Sequence, residues 1–266
     1  MTSMSSQTCP GCASESSALE RVRYYPRQLL TADDLAGDQE YHRQKMRRHN
    51  RFLHGWGVVC GLEVKAFPEQ GHPWQVRVCP GYAVGPQGDE IRLIEAISLD
   101  LATGAQTTPD PCADRWPCPP TGTMPGGGEK IPHVYVAVRY AECPGRPERV
   151  LPAGCGCDET SCEFSRTRDT LELKVLWELP ASHRAAAVAD ARWAERFRLW
   201  LTLGREASEP PPAPPCPPCP EEPWVVLARV QLPASPKVQI GAGQITYHGR
   251  RVLYGTSALQ ALHTVL

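Results

Sequence analysis

The sequence predicts a mainly β α+β protein: an antiparallel, β-sandwich-like body with a long N-terminal helix, a second helix near 182–203 and long loops rich in proline and cysteine. Three observations predict it. Short runs alternate apolar and polar residues, the clearest being LELKVLWEL at 171–179. There Leu171, Leu173, Val175, Trp177 and Leu179 oppose Glu172, Lys174 and Glu178, which is a strand with one buried and one wet face. A charged stretch from Ala32 to Leu53 contains no proline and one glycine, Gly37; about 22 residues of helix span about 33 Å. Finally, 28 prolines and 12 cysteines leave long segments without periodicity, which are loops.

Taken in order, residues 1–23 form a small, polar arm, and residues 24–266 a single β-rich domain. Thr31 stands at the N-cap of the first helix. Asp34 completes a capping box in which Glu or Gln is the usual partner. Gly55 and Gly57 end the helix around Trp56. Leu35, Met46 and Leu53 form a thin apolar stripe with His42 and His49 between them, so the helix is expected to lie on the body or against another subunit. Arg43, Arg47, Arg48 and Arg51 make a basic face, whose simplest reading is a solvated one.

Strand signals follow. Val58, Cys60, Leu62 and Val64 alternate, placing Cys60 inward. Trp74, Val76 and Val78 repeat the pattern, and PGYAVGPQGDEIRL reads as strand, turn, strand with Ile91 and Leu93 inside and Asp89 and Glu90 solvated at the turn. Residues 103–132 are a loop excursion. HVYVAVRYAE places Val134, Val136, Val138 and Tyr140 on one face. Residues 143–165 are a second, cysteine-rich excursion. Ser182 is the expected N-cap of the second helix. EPPPAPPCPPCPEEP at 209–223 is a polyproline segment, and WVVLARVQL is the next strand. The end reads as a hairpin turning at His248-Gly249 and a terminal helix from Ser257.

The run YYPRQLLTADDL, then EYHRQKMRRHNRFLHGWGVVCGLEV, then VRVCPGYAVGPQGDEIRL resembles the opening of an uncharacterised family associated with phage-tail-like contractile injection systems, as a baseplate or fibre-attachment component. The resemblance covers about residues 24–95, with weaker echoes at CEFSRTRDTLELKVL (162–176) and at the CPPCP…WVVLARVQL segment (216–232). It implies a structural subunit that works through protein–protein assembly with other particle subunits, oligomeric in the assembly. That places the candidate interface on Arg43, Arg47, Arg48, Arg51 and Trp56. The alternative is a β-sandwich binding module that recognises a glycan or cell-surface protein through the 103–132 and 143–162 loops.

Composition and chemistry narrow the classes. Net charge is −1, which argues against nucleic acid as partner. No apolar run reaches the ~18 residues of a membrane span, and no signal peptide opens the chain, so synthesis in the cytoplasm followed by incorporation into a particle is expected. There is no GxxxxGK[ST], GxSxG or HExxH motif, and no nucleophile–base pattern stands out, so an enzyme is not expected. In a reducing compartment, cysteine clusters read as metal sites first. Cys143, Cys155, Cys157 and Cys162 are a candidate structural zinc site; disulfides and free thiols are the other readings. Cys9 and Cys12 with Cys216 and Cys219 are the second candidate.

Overall fold

A computed structural model of the chain describes residues 19–107, 133–149, 162–203, 213, 216, 222–235 and 237–265. The elements run α1 (Ala32–His49), a π-helical turn (Asn50–His54), β1 (Gly57–Gly61), β2 (Val64–Ala66), β3 (Gln75–Val78), β4 (Gly81–Val84), β5 (Glu90–Leu93), β6 (Ile97–Asp100) and β7 (Gln106–Thr107). They continue with β8 (His133–Arg149), β9 (Cys162–Leu176), α2 (Ala181–Leu203), β10 (Val225–Gln231), a 3-10 turn (Ala242–Gln244), β11 (Ile245–Thr246) and α3 (Thr256–Val265). Among the described residues the strands form three antiparallel sheets, in the orders β1-β4-β5, β2-β3-β6-β7 and β11-β10-β8-β9, with no closed barrel. The fold is therefore mainly β α+β, as the alternating runs predict.

All three sheets feed one core. Leu62, Val76, Val78, Ile91, Leu99, Val136 and Leu227 are fully buried within it. β8 and β10 are buried on both faces: Val134, Val136 and Val138 join the main core, while Tyr135 and Ala137 pack with Trp224 and Val226 on the other side. A strand covered on both faces needs a continuous apolar run, and VYVAV and WVVLA supply it.

The expected alternation fails at Cys60, which is exposed. The register between β1 and β4 shifts between Val58 and Cys60, and this bulge turns the thiol outward while Val58 stays buried. The second excursion is partly strand, because β8 and β9 pair continuously out to Arg149 opposite Cys162. β9 stops at Leu176, short of the predicted Leu179, and Trp177 packs against the core from the bend that follows.

Ser182 does not cap α2, which starts one residue earlier, at Ala181. The Ala181 amide donates to Glu222 Oε2 at 2.9 Å, so a carboxylate from the segment before β10 meets the positive helix end. The turn at His248-Gly249 forms, but the returning leg leaves β11 and runs parallel to β1, with Val58 opposite Val252. Val58 N donates to Arg251 O at 2.8 Å and Leu253 N donates to Val58 O at 2.9 Å. Gly57 permits this approach: a Cβ there would stand 2.7 Å from Arg251 O, and its φ is +142°. Residues 108–132 and most of 209–223 lie outside the described residues.

Candidate functional site

α1 begins as its sequence dictates. Asp34 N donates to Thr31 Oγ1 at 3.2 Å, and Thr31 N donates to Asp34 Oδ2 at 2.9 Å, a complete capping box. The Thr31 amide, and then the Thr31 hydroxyl donating to Asp34 Oδ2 at 2.7 Å, hold the Asp34 carboxyl below the ordinary range. At the other end the helix widens into the π turn and stops at Gly55, whose φ is +81°.

The faces of α1 are inverted relative to a conventional amphipathic helix. Glu40, Arg43, Gln44, Arg47 and Arg51 share one side of a 3.6-residue helix, and this polar side is the one that docks. Gln44, Asn50 and Arg51 are buried. Arg47 Nε donates to Asp89 Oδ1 at 2.6 Å, with side chains only 14% and 11% exposed. Arg43 donates to Glu142 on β8, and Glu40 lies 3.6 Å from Arg43 and 3.8 Å from Arg47. Asn50 Nδ2 donates to Gly88 O at 2.9 Å. The turn between β4 and β5 touches the helix backbone itself: a Cβ on Gly88 would stand 2.2 Å from Arg47 O.

Three expectations change here. The basic face is not simply solvated, since Arg47 and Arg51 point inward. Asp89, read as a solvated turn residue, is the main counter-ion of α1. The apolar stripe is the part that faces out: Met46 is 54% exposed, Phe52 48% and Leu53 70%, and Leu35 is exposed too. A shallow groove runs along this outer face, lined by Leu19, Lys45, Met46, Arg48, Phe52 and Leu53 among others.

Trp56 is buried at the junction behind the hinge. Its ring meets the His183 imidazole edge-on, with centroids 4.6 Å apart, and the Arg251 guanidinium lies 5.0 Å from its centroid. Arg251 Nε also donates to Trp56 O at 2.9 Å, and its other end pairs with Asp190 on α2. Val226 N donates to His183 Nε2 at 3.2 Å, while Nδ1 lies 3.0 Å from Gly249 O. Nε2 also lies 3.2 Å from Trp224 O, and burial pushes the imidazole down to about 4. Arg250 Nη1 donates to Leu62 O at 2.7 Å, and burial lowers this guanidinium's pKa. His183, Arg250 and Arg251 carry no sequence signal, because their partners, backbone groups and for Arg251 also Asp190, are distant in sequence.

The cysteine candidates divide. Cys143 is buried and disulfide-bonded. The β8–β9 register sets Cys143 opposite Arg168 and Cys162 opposite Arg149. That spacing separates Cys143 and Cys162 by about 20 Å along the hairpin, at about 3.3 Å per residue, so the structure does not bring those two together. Cys155 and Cys157 lie outside the described residues, as do Cys9, Cys12 and Cys219; Cys216 is exposed and free. Among the described residues no group of three or more His, Cys, Asp or Glu side chains is arranged to hold a metal ion, and no helix is long and apolar enough to cross a membrane.

No family model and no curated protein matches the chain. Among the solved structures weakly similar to it are two that contain TssK. TssK is 14% identical over 59% of this chain, with a TM-score of 0.30. The TssK-TssF-TssG baseplate subcomplex of the type VI secretion system, determined by cryo-electron microscopy, is 13% identical over 82% of this chain, with a TM-score of 0.34. The chain spans 37% and 58% of the lengths of these two matches. At these scores the likeness is one of weak shape alone.

Proposed function

We propose that the chain is a structural subunit of a phage-tail-like contractile injection particle, at baseplate or fibre-hub level, and that it acts by protein–protein assembly. One observation carries the reading. α1 is anchored to the body by ion pairs and hydrogen bonds on its polar face, and it holds apolar side chains outward. Leaving such side chains in water costs about 25 cal/mol per Å² of apolar area relative to covering them, so a face of this kind favours a covering surface. The resemblance of residues 24–95 to contractile-system components supplies the class of assembly. The other particle subunits are then its partners.

Sedimentation tests the reading. A gently lysed native culture is separated on a density gradient and blotted for this chain. Migration with large particles bearing sheath and tube is the expected result. Recovery of the whole pool at the top of the gradient, as monomer or small oligomer, would overturn it.

A further inference from the structure

We infer that an aromatic row on α2 is the docking site of the chain's own proline-rich segment, residues 204–221, which returns antiparallel along the helix. The inference stands apart from the assembly reading above. His183, Ala186, Asp190, Trp193, Phe197 and Trp200 recur at helical spacing and share one stripe of α2. The first half of the stripe lies on the body: His183 is buried, Ala186 packs against the core and Asp190 pairs with Arg251. The second half is aromatic. Phe197 stacks on Trp193 with ring centroids 5.2 Å apart and on Trp200 at 5.8 Å, and all three are partly buried. Trp193 and Trp200 each make a further interaction beyond that stack, so the row is engaged.

Chain length selects the occupant. α2 ends at Leu203, and at its other end the Ala181 amide donates to Glu222. The chain between Leu203 and Glu222 therefore returns over the whole helix, about 33 Å. Pro210 to Pro220 is proline except at Ala213, Cys216 and Cys219, and as polyproline II it spans about 31 Å, close to the length of α2. Residues 204–209 are left to reverse direction at the helix end. Residues 1–18, 108–132 and 150–161 leave the described chain at Leu19, β7, β8 and β9, none of them an end of α2. Polyproline II repeats every three residues, so Ala213, Cys216 and Cys219 form one ridge and prolines fill the other two. Ala213 and Cys216 are exposed. The ridge without proline thus faces water, and the proline ridges turn toward the indoles, the pairing by which aromatic surfaces take up polyproline II. One polyproline turn rises about 9 Å, against about 10 Å from Trp193 to Trp200 along the helix.

Photo-crosslinking of the purified full chain tests the inference. p-Benzoylphenylalanine replaces Phe197, the protein is irradiated at high dilution, and adducts are mapped by mass spectrometry. The expected adduct is internal to one molecule and joins position 197 to a residue between Pro210 and Pro220. An adduct to a second copy or to any other segment overturns the inference, as does the lack of an adduct. Hydrogen exchange along α2 gives a second reading that does not use the probe. Pro214→Ser with Pro217→Ser, on one proline ridge, is expected to speed exchange at residues 193–203 about tenfold, the scale of uncovering an apolar ring, and to leave β8 and β10 unchanged. Ala213→Ser with Cys216→Ser, on the outward ridge, should leave α2 unchanged. Equal effects of the two pairs, or no effect of the proline pair, would also overturn it.

Discussion

Along β8 and β10, Val134, Val136, Val138, Val225, Leu227 and Val230 are buried against apolar neighbours, whereas α1 and its π turn meet the same body through Arg43, Arg47 and Asn50. The two attachments differ in kind. Apolar burial scales with area and is non-directional. A polar dock fixes rotation and translation, because each donor must meet its acceptor within a few tenths of an ångström. The strands therefore hold the protein together, and the helix is held in one orientation. That orientation turns the apolar stripe of α1 outward.

The largest test of this contrast lies in the strands. Leu227→Ala removes a fully buried side chain at the meeting of the sheets, and it is expected to cost about 4 kcal/mol. Urea unfolding should show the loss as a lower midpoint with an unchanged slope; a change under 1 kcal/mol would deny Leu227 its place in the core.

Acid probes the imidazole set into the junction behind the hinge. The folded-state pKa of His183, about 4, lies below the value near 6.5 of an unfolded imidazole. The stability it contributes is complete above about pH 6.5 and is lost as pH falls from there toward 4. The expected loss over that window is about 3 kcal/mol, read as Tm against pH. His183→Gln should flatten that part of the profile even though it lowers stability overall.

At the dock, Asp89→Ala leaves Arg47 nearly buried without its main counter-ion. A cost of about 2 kcal/mol is expected, below the 3–5 of a fully buried pair because both groups keep some water. The effect should be local. Hydrogen exchange ought to accelerate in α1 and remain slow in β8 and β10. Uniform acceleration would mean that the helix and the sheets unfold as one unit, and the contrast drawn here would collapse. A double-mutant cycle with Arg47→Ala isolates the coupling.

Smaller effects sharpen the picture at the ends of α1. Thr31→Ala removes the capping-box acceptor and is expected to cost about 1 kcal/mol. Leu53→Ser changes an exposed side chain and should move stability by less than about 0.5 kcal/mol. If Leu53→Ser instead lowers Tm by several degrees, Leu53 is buried within this chain and is unavailable to a partner. Charge reversal of Arg47 or Arg51 makes a poor assembly test, because both side chains lie against the body.

Much of the strand plan was legible locally. Trp74, Val76 and Val78, then Ile91 and Leu93, then Val134, Val136 and Val138 are buried as their alternation implies. The same rule failed at Cys60, because a bulge adds a residue without leaving a trace in the hydrophobic pattern. It failed at Cys143 to Arg149 as well. Proline and glycine there read as loop, yet β9 offers a partner strand along the whole length. The candidate interface was half legible. The right helix and the right hinge stand out in the sequence, and the side of the helix that docks does not.

By itself the sequence determined where α1 begins and ends and where most strands lie. Thr31 with Asp34 starts α1, Gly55 stops it, and the two-residue period marks most strands, since caps and alternation are local physics. Only the tertiary structure decided which face of α1 is internal. Hydrophobicity argues for burying Leu35, Met46 and Leu53, but Asp89, Glu142 and the Gly88 carbonyl stand across from the helix and are satisfied by Arg47, Arg43 and Asn50. Those partners lie 42, 99 and 38 residues away along the chain. A nearly buried carboxylate without a cation costs more than apolar side chains left in water, so the distant charges prevail over the local pattern.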